Sequence, residues 1–210
     1  MKKKLFITIL VLTLTTAVFA QKAEPERSFR YQLTDDGKGI QITAYTGTNP
    51  NLVIPRTIEG YPVKIIGPDD PGGFVNISGT NTRNPYRLLQ TVIVPEGVEV
   101  ISACAFQNCI NLRKVILPST VYLIGNMAFD DCINLEEINI PSGIEIIGGW
   151  AFQNCRELYN LIIPNSITSI YWKAKSTDGI NYLAGQFDKC GKLRIATRQR
   201  LKELGYTEGF

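Results

Sequence analysis

A β-rich solenoid, closed by a β-hairpin at one end and a helix at the other, is the fold this sequence predicts. Three observations predict it. First, Val92-Ile93-Val94-Pro95 returns as Val115-Ile116-Leu117-Pro118, Ile138-Asn139-Ile140-Pro141 and Leu161-Ile162-Ile163-Pro164, each step being 23 residues. Second, further columns keep the same step. They are Val98, Val121, Ile144 and Ile167; Ile101, Ile124, Ile147 and Ile170; Phe106, Phe129 and Phe152, each after an Ala; Cys109, Cys132 and Cys155; and Leu112, Leu135 and Leu158. Third, the segments flanking the repeats read as caps. A fixed period in the low twenties with apolar residues in fixed columns marks a solenoid. A unit that cannot bury its own apolar face must stack it on a neighbour.

The elements follow in chain order. Met1-Lys2-Lys3-Lys4 is a basic start, Leu5 to Val18 is apolar, and Val18-Phe19-Ala20 sets small residues where a signal peptidase reads. Residues 1–20 are therefore expected to be a signal peptide cut after Ala20. The apolar run is short for a membrane span and no second run follows, so no span is expected after cleavage. No Cys follows the cut, which argues against a lipid-anchored form. Residues 21–51 form the N-terminal cap. Phe29 to Leu33 alternates, Asp35-Asp36-Gly37-Lys38-Gly39 is a turn cluster, and Ile40 to Tyr45 alternates again, which is a hairpin signal. Such a cap covers the apolar face and the strand edge that the first repeat would expose.

Residues 52–193 hold about five repeats. The first begins at Leu52-Val53-Ile54-Pro55 and runs through Ile58, Val63, Ile66 and Gly67. Pro55 to Pro95 is 40 residues instead of 23, and the 17 extra are expected between Pro68 and Arg87, a stretch of loop composition. The next three repeats are regular. Each is expected to give a strand ending at its Pro, which cannot donate to the next rung, then a second extended piece, then a turn of helix or 3₁₀ around Ala-Phe. The fifth repeat starts at Leu161. Phe187 lies 23 residues past Pro164 where Phe152 lies 11 past Pro141, so 12 extra residues are expected between Trp172 and Ala184. Phe187, Cys190 and Leu193 then restore the spacing. Residues 194–210 are expected to be a C-terminal cap helix, with Thr197 as N-cap, Leu201 and Leu204 facing the last repeat, and Gly205 as the stop.

Charge and cysteine content narrow the partners. The leader carries three of the 22 basic residues and no acid, so 19 basic residues face 19 acidic ones in the processed chain. A formally neutral protein has no basic excess to attract nucleic acid or an anionic membrane. Five cysteines in an exported chain invite a disulfide reading. Yet Cys109, Cys132, Cys155 and Cys190 hold one repeat column. Stacked strands sit about 4.8 Å apart with parallel side chains, whereas bridged cysteines need Cβ atoms about 3.8 Å apart and converging. A buried ladder of reduced thiols is expected. Zinc is disfavoured because the chain has no CxxC pair and no His.

The unit Val-x-Ile-Pro-x-x-Val-x-x-Ile-Gly-x-x-Ala-Phe-x-x-Cys-x-x-Leu-x-x resembles the BspA-like, or Treponema pallidum-type, leucine-rich repeats. Val115 to Glu137 and Ile138 to Asn160 match at nearly every defining position, and the match covers about 140 residues. Gly37 to Tyr45 and Arg200 to Tyr206 are also similar to flanking segments of family members. The resemblance implies an α/β leucine-rich-repeat solenoid, a β-rich horseshoe or arc. It further implies an exported bacterial protein, often at the cell surface, that binds other proteins or host matrix. Two departures stand out: Ser102 replaces the usual Gly after Ile101, and neither insertion belongs to the motif. Fold does not fix function, so the ligand does not follow from the family.

Chemistry finds little support in the residues. Without His the commonest general base and nucleophile activator is missing. No Walker loop or GxGxxG follows a strand. Asp69-Asp70 and Asp130-Asp131 lie outside any EF-hand pattern and read as solvated turn acids, not as a glycosidase pair. Asn76-Ile77-Ser78 is a glycosylation sequon, expected to be idle in a bacterial protein.

Surface is what remains. Alternation along the strands turns Thr91 and Ile93, Lys114 and Ile116, Glu137 and Asn139, Asn160 and Ile162 outward, on the concave sheet of the arc. Ile93, Ile116 and Ile162 form an apolar column interrupted by Asn139, with Arg113, Lys114, Glu136, Glu137 and Tyr159 beside it. An exposed apolar stripe marks an interface; the alternative is that β-branched residues simply favour strands. The two insertions are expected to emerge on one side of the solenoid. They bring Tyr86 with Phe74, Arg83 and Arg87, and Trp172 and Tyr182 with Lys173, Lys175 and Asp178, which are hot-spot residue types; the alternative is that each loop seals an end of the stack. The expected function is therefore an exported binding protein for a protein or glycan partner, in adhesion or on host matrix, without catalysis, cofactor or metal. The alternative is a structural or assembly scaffold in the periplasm or envelope.

Overall fold

The computed structural model describes residues 22–68, 88–168, 171–173 and 185–206, with the backbone alone for 171–173. Each turn of the solenoid contributes one short strand to each of two sheets. The five-stranded sheet holds β3 (Asn51–Val53), β6 (Thr91–Ile93), β8 (Lys114–Ile116), β10 (Glu137–Asn139) and β12 (Asn160–Ile162), in that spatial order and all parallel. The eight-stranded sheet starts from the hairpin of β1 (Phe29–Leu33) and β2 (Ile40–Tyr45). It continues through β5 (Tyr61–Ile66), β7 (Val100–Ile101), β9 (Leu123–Ile124), β11 (Ile146–Gly148) and β13 (Tyr171–Lys173), with β4 (Thr57–Ile58) paired to β5. The stack amounts to about five turns. β1 and β2 are antiparallel and β2 runs parallel to β5, so the hairpin covers the first repeat by extending its sheet.

The columns explain the strands. In each strand of the five-stranded sheet the central side chain points inward, and Leu52, Val92, Val115, Ile138 and Leu161 are all buried. The flanking residues point out. The second apolar pair of each repeat, Val98 with Ile101, Val121 with Ile124 and Ile144 with Ile147, closes the core from the other sheet.

The 17 extra residues of the first repeat divide differently from expectation. Pro55 to Ile66 is 11 residues, whereas Pro95 to Ile101 is six, and Ile66 pairs with Ile101. Five of the extra residues therefore make the β4–β5 hairpin, and only 12 fall after Ile66. The second insertion is corrected too. Trp172 pairs in register with Ile147, 25 residues earlier, so two of the 12 extra residues precede Tyr171. Trp172 and Lys173 belong to strand β13, not to a loop, and Trp172 takes the place in the ladder expected for Ile170.

The Ala-Phe segment is a run of turns and not a helical turn. Ala105 N–H bonds back to Ser102, Gln107 to Cys104 and Cys109 to Phe106, each three residues back. Between them Cys104 and Asn108 sit at φ +55° and +61°, as do Met127 and Asp131 (+54°, +57°) and Trp150 and Asn154 (+55°, +59°) in the next repeats. A left-handed residue breaks a right-handed helix, so the chain turns without winding one. The same segment brings neighbouring repeats close. A Cβ at Gly125 would lie 2.5 Å from the Ala103 nitrogen and one at Gly148 2.4 Å from the Asn126 nitrogen. Ser102 is tolerated in this column because its neighbour across the stack, Gly67, has no Cβ; one added there would lie 2.8 Å from that of Ser102.

Two ladders run down the core. Phe106, Phe129, Phe152 and Phe187 stack with centroids 5.3, 5.3 and 5.2 Å apart and planes within 7°. Beside them Cys109, Cys132, Cys155 and Cys190 are fully buried and unbridged, as is Cys104 nearby. The Cys132 thiol donates to the Phe106 carbonyl at 3.1 Å, Cys155 to Phe129 at 3.2 Å and Cys190 to Phe152 at 3.1 Å. The thiol thus serves as a small apolar filler with one weak donor for the backbone of the preceding repeat. Burial, and then the adjacent thiol, push Cys132 and Cys155 well above the usual thiol range.

The C-terminal cap is α1 (Ile195–Glu203), which buries Leu201, with buried Leu204 just beyond its end. Thr197 is not its N-cap. Arg194 is, without a side-chain bond, and the Thr197 hydroxyl instead donates to the Leu161 carbonyl at 3.3 Å. Gly205, at φ +93°, ends the helix as expected: its N–H bonds Lys202 and that of Tyr206 bonds Leu201, a Schellman pattern. Tyr206 finishes the aromatic ladder and the main-chain bonding beside it. Its ring meets Phe187 edge-on at 5.3 Å and 89°, and its hydroxyl accepts the Phe187 N–H at 3.1 Å. Inside the stack the equivalent N–H groups of Phe106, Phe129 and Phe152 bond carbonyls of the following repeat, at 2.7 to 2.8 Å. The phenol stands in for the repeat that does not follow.

Candidate interaction surface

The outward face of the five-stranded sheet carries two rows. One is polar: Asn51, Thr91, Lys114, Glu137 and Asn160 lie side by side in register. The other holds Val53, Ile93, Ile116, Asn139 and Ile162, so the apolar column starts one rung earlier than expected, at Val53. The structure brings Ile93, Lys114, Ile116, Glu137, Asn139, Tyr159 and Ile162 onto or beside one face.

The polar row is internally paired. The Thr91 hydroxyl donates to Asn51 Oδ1 at 2.8 Å, and Lys114 Nζ meets Glu137 at 2.9 Å. The Tyr159 hydroxyl reaches the same carboxylate at 3.4 Å, while Arg113 pairs with Glu136. The Lys114 ammonium holds the Glu137 carboxyl below the usual range against a smaller opposing effect of burial. Arg194, from the start of α1, lies 5.7 Å over the Tyr159 ring, a cation–π contact.

The apolar row is uneven. Ile93 and Ile116 are half-buried, and Ile162, on the last strand, is 55% exposed. Asn139 interrupts the row for a backbone reason. Its amide accepts the Leu117 N–H at 2.9 Å and donates to the Leu117 carbonyl at 2.8 Å. Where other rungs use a main-chain bond, such as Val94 N–H to Ile116 at 3.0 Å, this one uses a side chain. Asn139 therefore ties two repeats together as well as facing outward.

Trp172 lies in β13 of the eight-stranded sheet, and Tyr86 and Tyr182 lie outside the described residues, as does most of each insertion. Asp130 is not the solvated acid expected of it. It is buried, its carboxyl is pushed up by that burial, and it accepts the Gln107 amide at 3.0 Å. Asp131 accepts from the Asn154 amide at 2.8 Å. Among the described residues no three His, Cys, Asp or Glu side chains converge as metal ligands, and no helix is long and apolar enough to cross a membrane.

Sequence reasoning missed a second column. Ile65, Val100, Leu123 and Ile146 lie in register on the outward side of the eight-stranded sheet, all half-buried and without a polar interruption. Val100, Leu123 and Ile146 keep the 23-residue step directly before the Ile101 column, which was the available signal.

The family model for the BspA-type leucine-rich repeat region matches residues 84–195, in six copies, which is more than half of the chain. This chain belongs to the BspA-type leucine-rich-repeat family. A leucine-rich repeat protein of Treponema pallidum is 23% identical over 89% of this chain and 97% of its own, with a TM-score of 0.41. A leucine-rich repeat protein from Bacteroides ovatus is 24% identical over 79% of this chain and 44% of its own, with a TM-score of 0.50. A leucine-rich cell surface protein from Faecalibacterium prausnitzii is 23% identical over 83% and 54%, with a TM-score of 0.49. This BspA-type chain thus spans nearly all of the first and about half of the other two. At these identities the Bacteroides ovatus likeness shows the leucine-rich-repeat fold. Among curated proteins none matches.

Proposed function

We propose that this BspA-type repeat protein is exported and binds a protein partner on the outward face of its five-stranded sheet. The observation that carries the reading is the pairing of rows on that face: an apolar row, Val53, Ile93, Ile116 and Ile162, beside a polar row whose side chains pair with one another. The basic and apolar leader at Met1–Ala20 supports export. The absence of His and the neutral charge of the processed chain favour binding over catalysis and over nucleic acid.

The test is capture of immobilised extracellular-matrix and mucosal proteins by the parent chain and by a double variant, Ile93→Asp with Ile116→Asp. Loss of capture with an unchanged circular dichroism spectrum is expected. Undiminished capture moves the site off this face. Protease treatment of intact cells separates a surface role from the periplasmic scaffold: the protein should be degraded while a periplasmic marker survives.

A further inference from the structure

The two ends of the five-stranded sheet are finished differently. At the first strand the outward backbone is occupied: Glu24 N–H donates to the Val53 carbonyl at 2.9 Å, and Asn51 N–H donates to Asn49 Oδ1 at 2.9 Å. At the last strand, Asn160 N–H bonds Glu136 at 3.1 Å and the Ile162 carbonyl accepts from Ile140 at 2.8 Å, so both residues face β10. Backbone alternation then turns the N–H and C=O of Leu161 the other way, off the end of the sheet. The Thr197 hydroxyl that reaches this carbonyl confirms the direction.

Beyond Leu161 the helix meets the strand at one point, the Thr197 hydroxyl on the buried Leu161, and stands off from it on either side. A groove of about 450 Å³ separates them, walled by Asn160, Ile162 and Asn165 on one side and Arg194, Gln199 and Arg200 on the other. Among the described residues nothing fills it. Sheets with a free edge normally cover or blunt it. Here the edge carries the most exposed side chain of the apolar row, Ile162, and the cover is cationic. Arg200 is balanced by Glu203 at 3.2 Å. Arg194 has its aromatic contact with Tyr159 and opens a helix with no acid in its first turn and no side-chain cap. A carboxylate at this position would meet a guanidinium and the positive end of the helix together.

We propose that the groove takes an extended peptide of alternating apolar and acidic residues as a sixth strand of this sheet. The Leu161 N–H would donate to a peptide carbonyl, an apolar side chain would cover Ile162, and a carboxylate would face Arg194. This is strand addition, in which main-chain bonds give affinity and alternate side chains give selectivity. At about 3.3 Å per residue, three to four peptide residues span β12. The proposal rests on the protein-binding reading above and narrows it to one edge and one peptide chemistry.

The probe is a fluorescein-labelled, end-blocked hexapeptide of alternating valine and glutamate, titrated with the whole chain by fluorescence anisotropy. Saturable binding is expected. It should weaken at least tenfold when the peptide backbone is N-methylated, when lysine replaces glutamate, and in the Arg194→Glu variant. That substitution sets an acid at a helix start, where it does not harm folding; an unchanged melting curve confirms this. The Ile93→Asp, Ile116→Asp double variant should bind the peptide like the parent, so loss of the face site and loss of the groove are told apart. No saturation up to millimolar chain, equal affinity for the N-methylated peptide, or unchanged affinity in Arg194→Glu would each overturn the proposal.

Discussion

Replacing Tyr206 with Phe removes one oxygen and leaves the ring. The edge-on contact with Phe187 at 5.3 Å is kept, while the Phe187 N–H loses its 3.1 Å acceptor in a buried site. Leaving a buried donor without its partner costs about 1–3 kcal/mol. At about 2–4 °C per kcal/mol for a domain of this size, the melting temperature should fall by roughly 2–12 °C. Because stability in a solenoid is a sum over repeats and their interfaces, the loss should be felt first at the capped end. Amide hydrogen exchange resolves this: Phe187 should lose protection strongly and Phe106, at the far end of the aromatic ladder, little. Equal melting temperatures together with unchanged exchange at Phe187 would refute the view that the phenol replaces the missing repeat.

Three further outcomes follow from the packing. Gly148→Ala places a Cβ 2.4 Å from the Asn126 nitrogen and should cost about 1–3 kcal/mol by overpacking, while Gly191→Ala, with nothing within 4 Å, should be near neutral in the same urea titration. The ladder thiols Cys109, Cys132, Cys155 and Cys190 are fully buried, so iodoacetamide at pH 8 should leave them unmodified in the folded protein and alkylate all of them in guanidinium, as read by intact mass. Glu137 has a carboxyl held below its usual range by Lys114, so its contribution is full above the ordinary glutamate range and is lost as pH falls through the lowered value. Lys114→Met should therefore destabilise at pH 7, with the difference from the parent shrinking as the pH falls below that window; a pH-independent difference in urea midpoints would count against the pair.

The chain by itself determined which residues are buried together. A 23-residue step in Val, Ile, Phe, Cys and Leu reports positions that must share a core, because each repeat buries its apolar face only against the next, and a column is the imprint of that contact. The inward strand centres and the aromatic and thiol columns were legible for this reason, while the hairpin was legible from alternation around a turn cluster and Gly205 from the helix-stop signal. The insertions carry no period, so their division between the β4–β5 hairpin and the later stretch was settled by pairing across the sheet, as was the place of Trp172 opposite Ile147. Bonds between a side chain and a distant backbone leave no mark in the spacing either. Asn139 looks like an interruption in sequence and is a bridge to Leu117 in the fold; Tyr206 looks like one more residue of the tail and is the cap of the stack. The open edge at Leu161 is of the same kind. Strand alternation could be read from the residues, but whether a helix seals the last strand or leaves a groove beside it depends on where α1 comes to rest, and that is set by the burial of Leu201, Leu204 and Tyr206 against the final repeat.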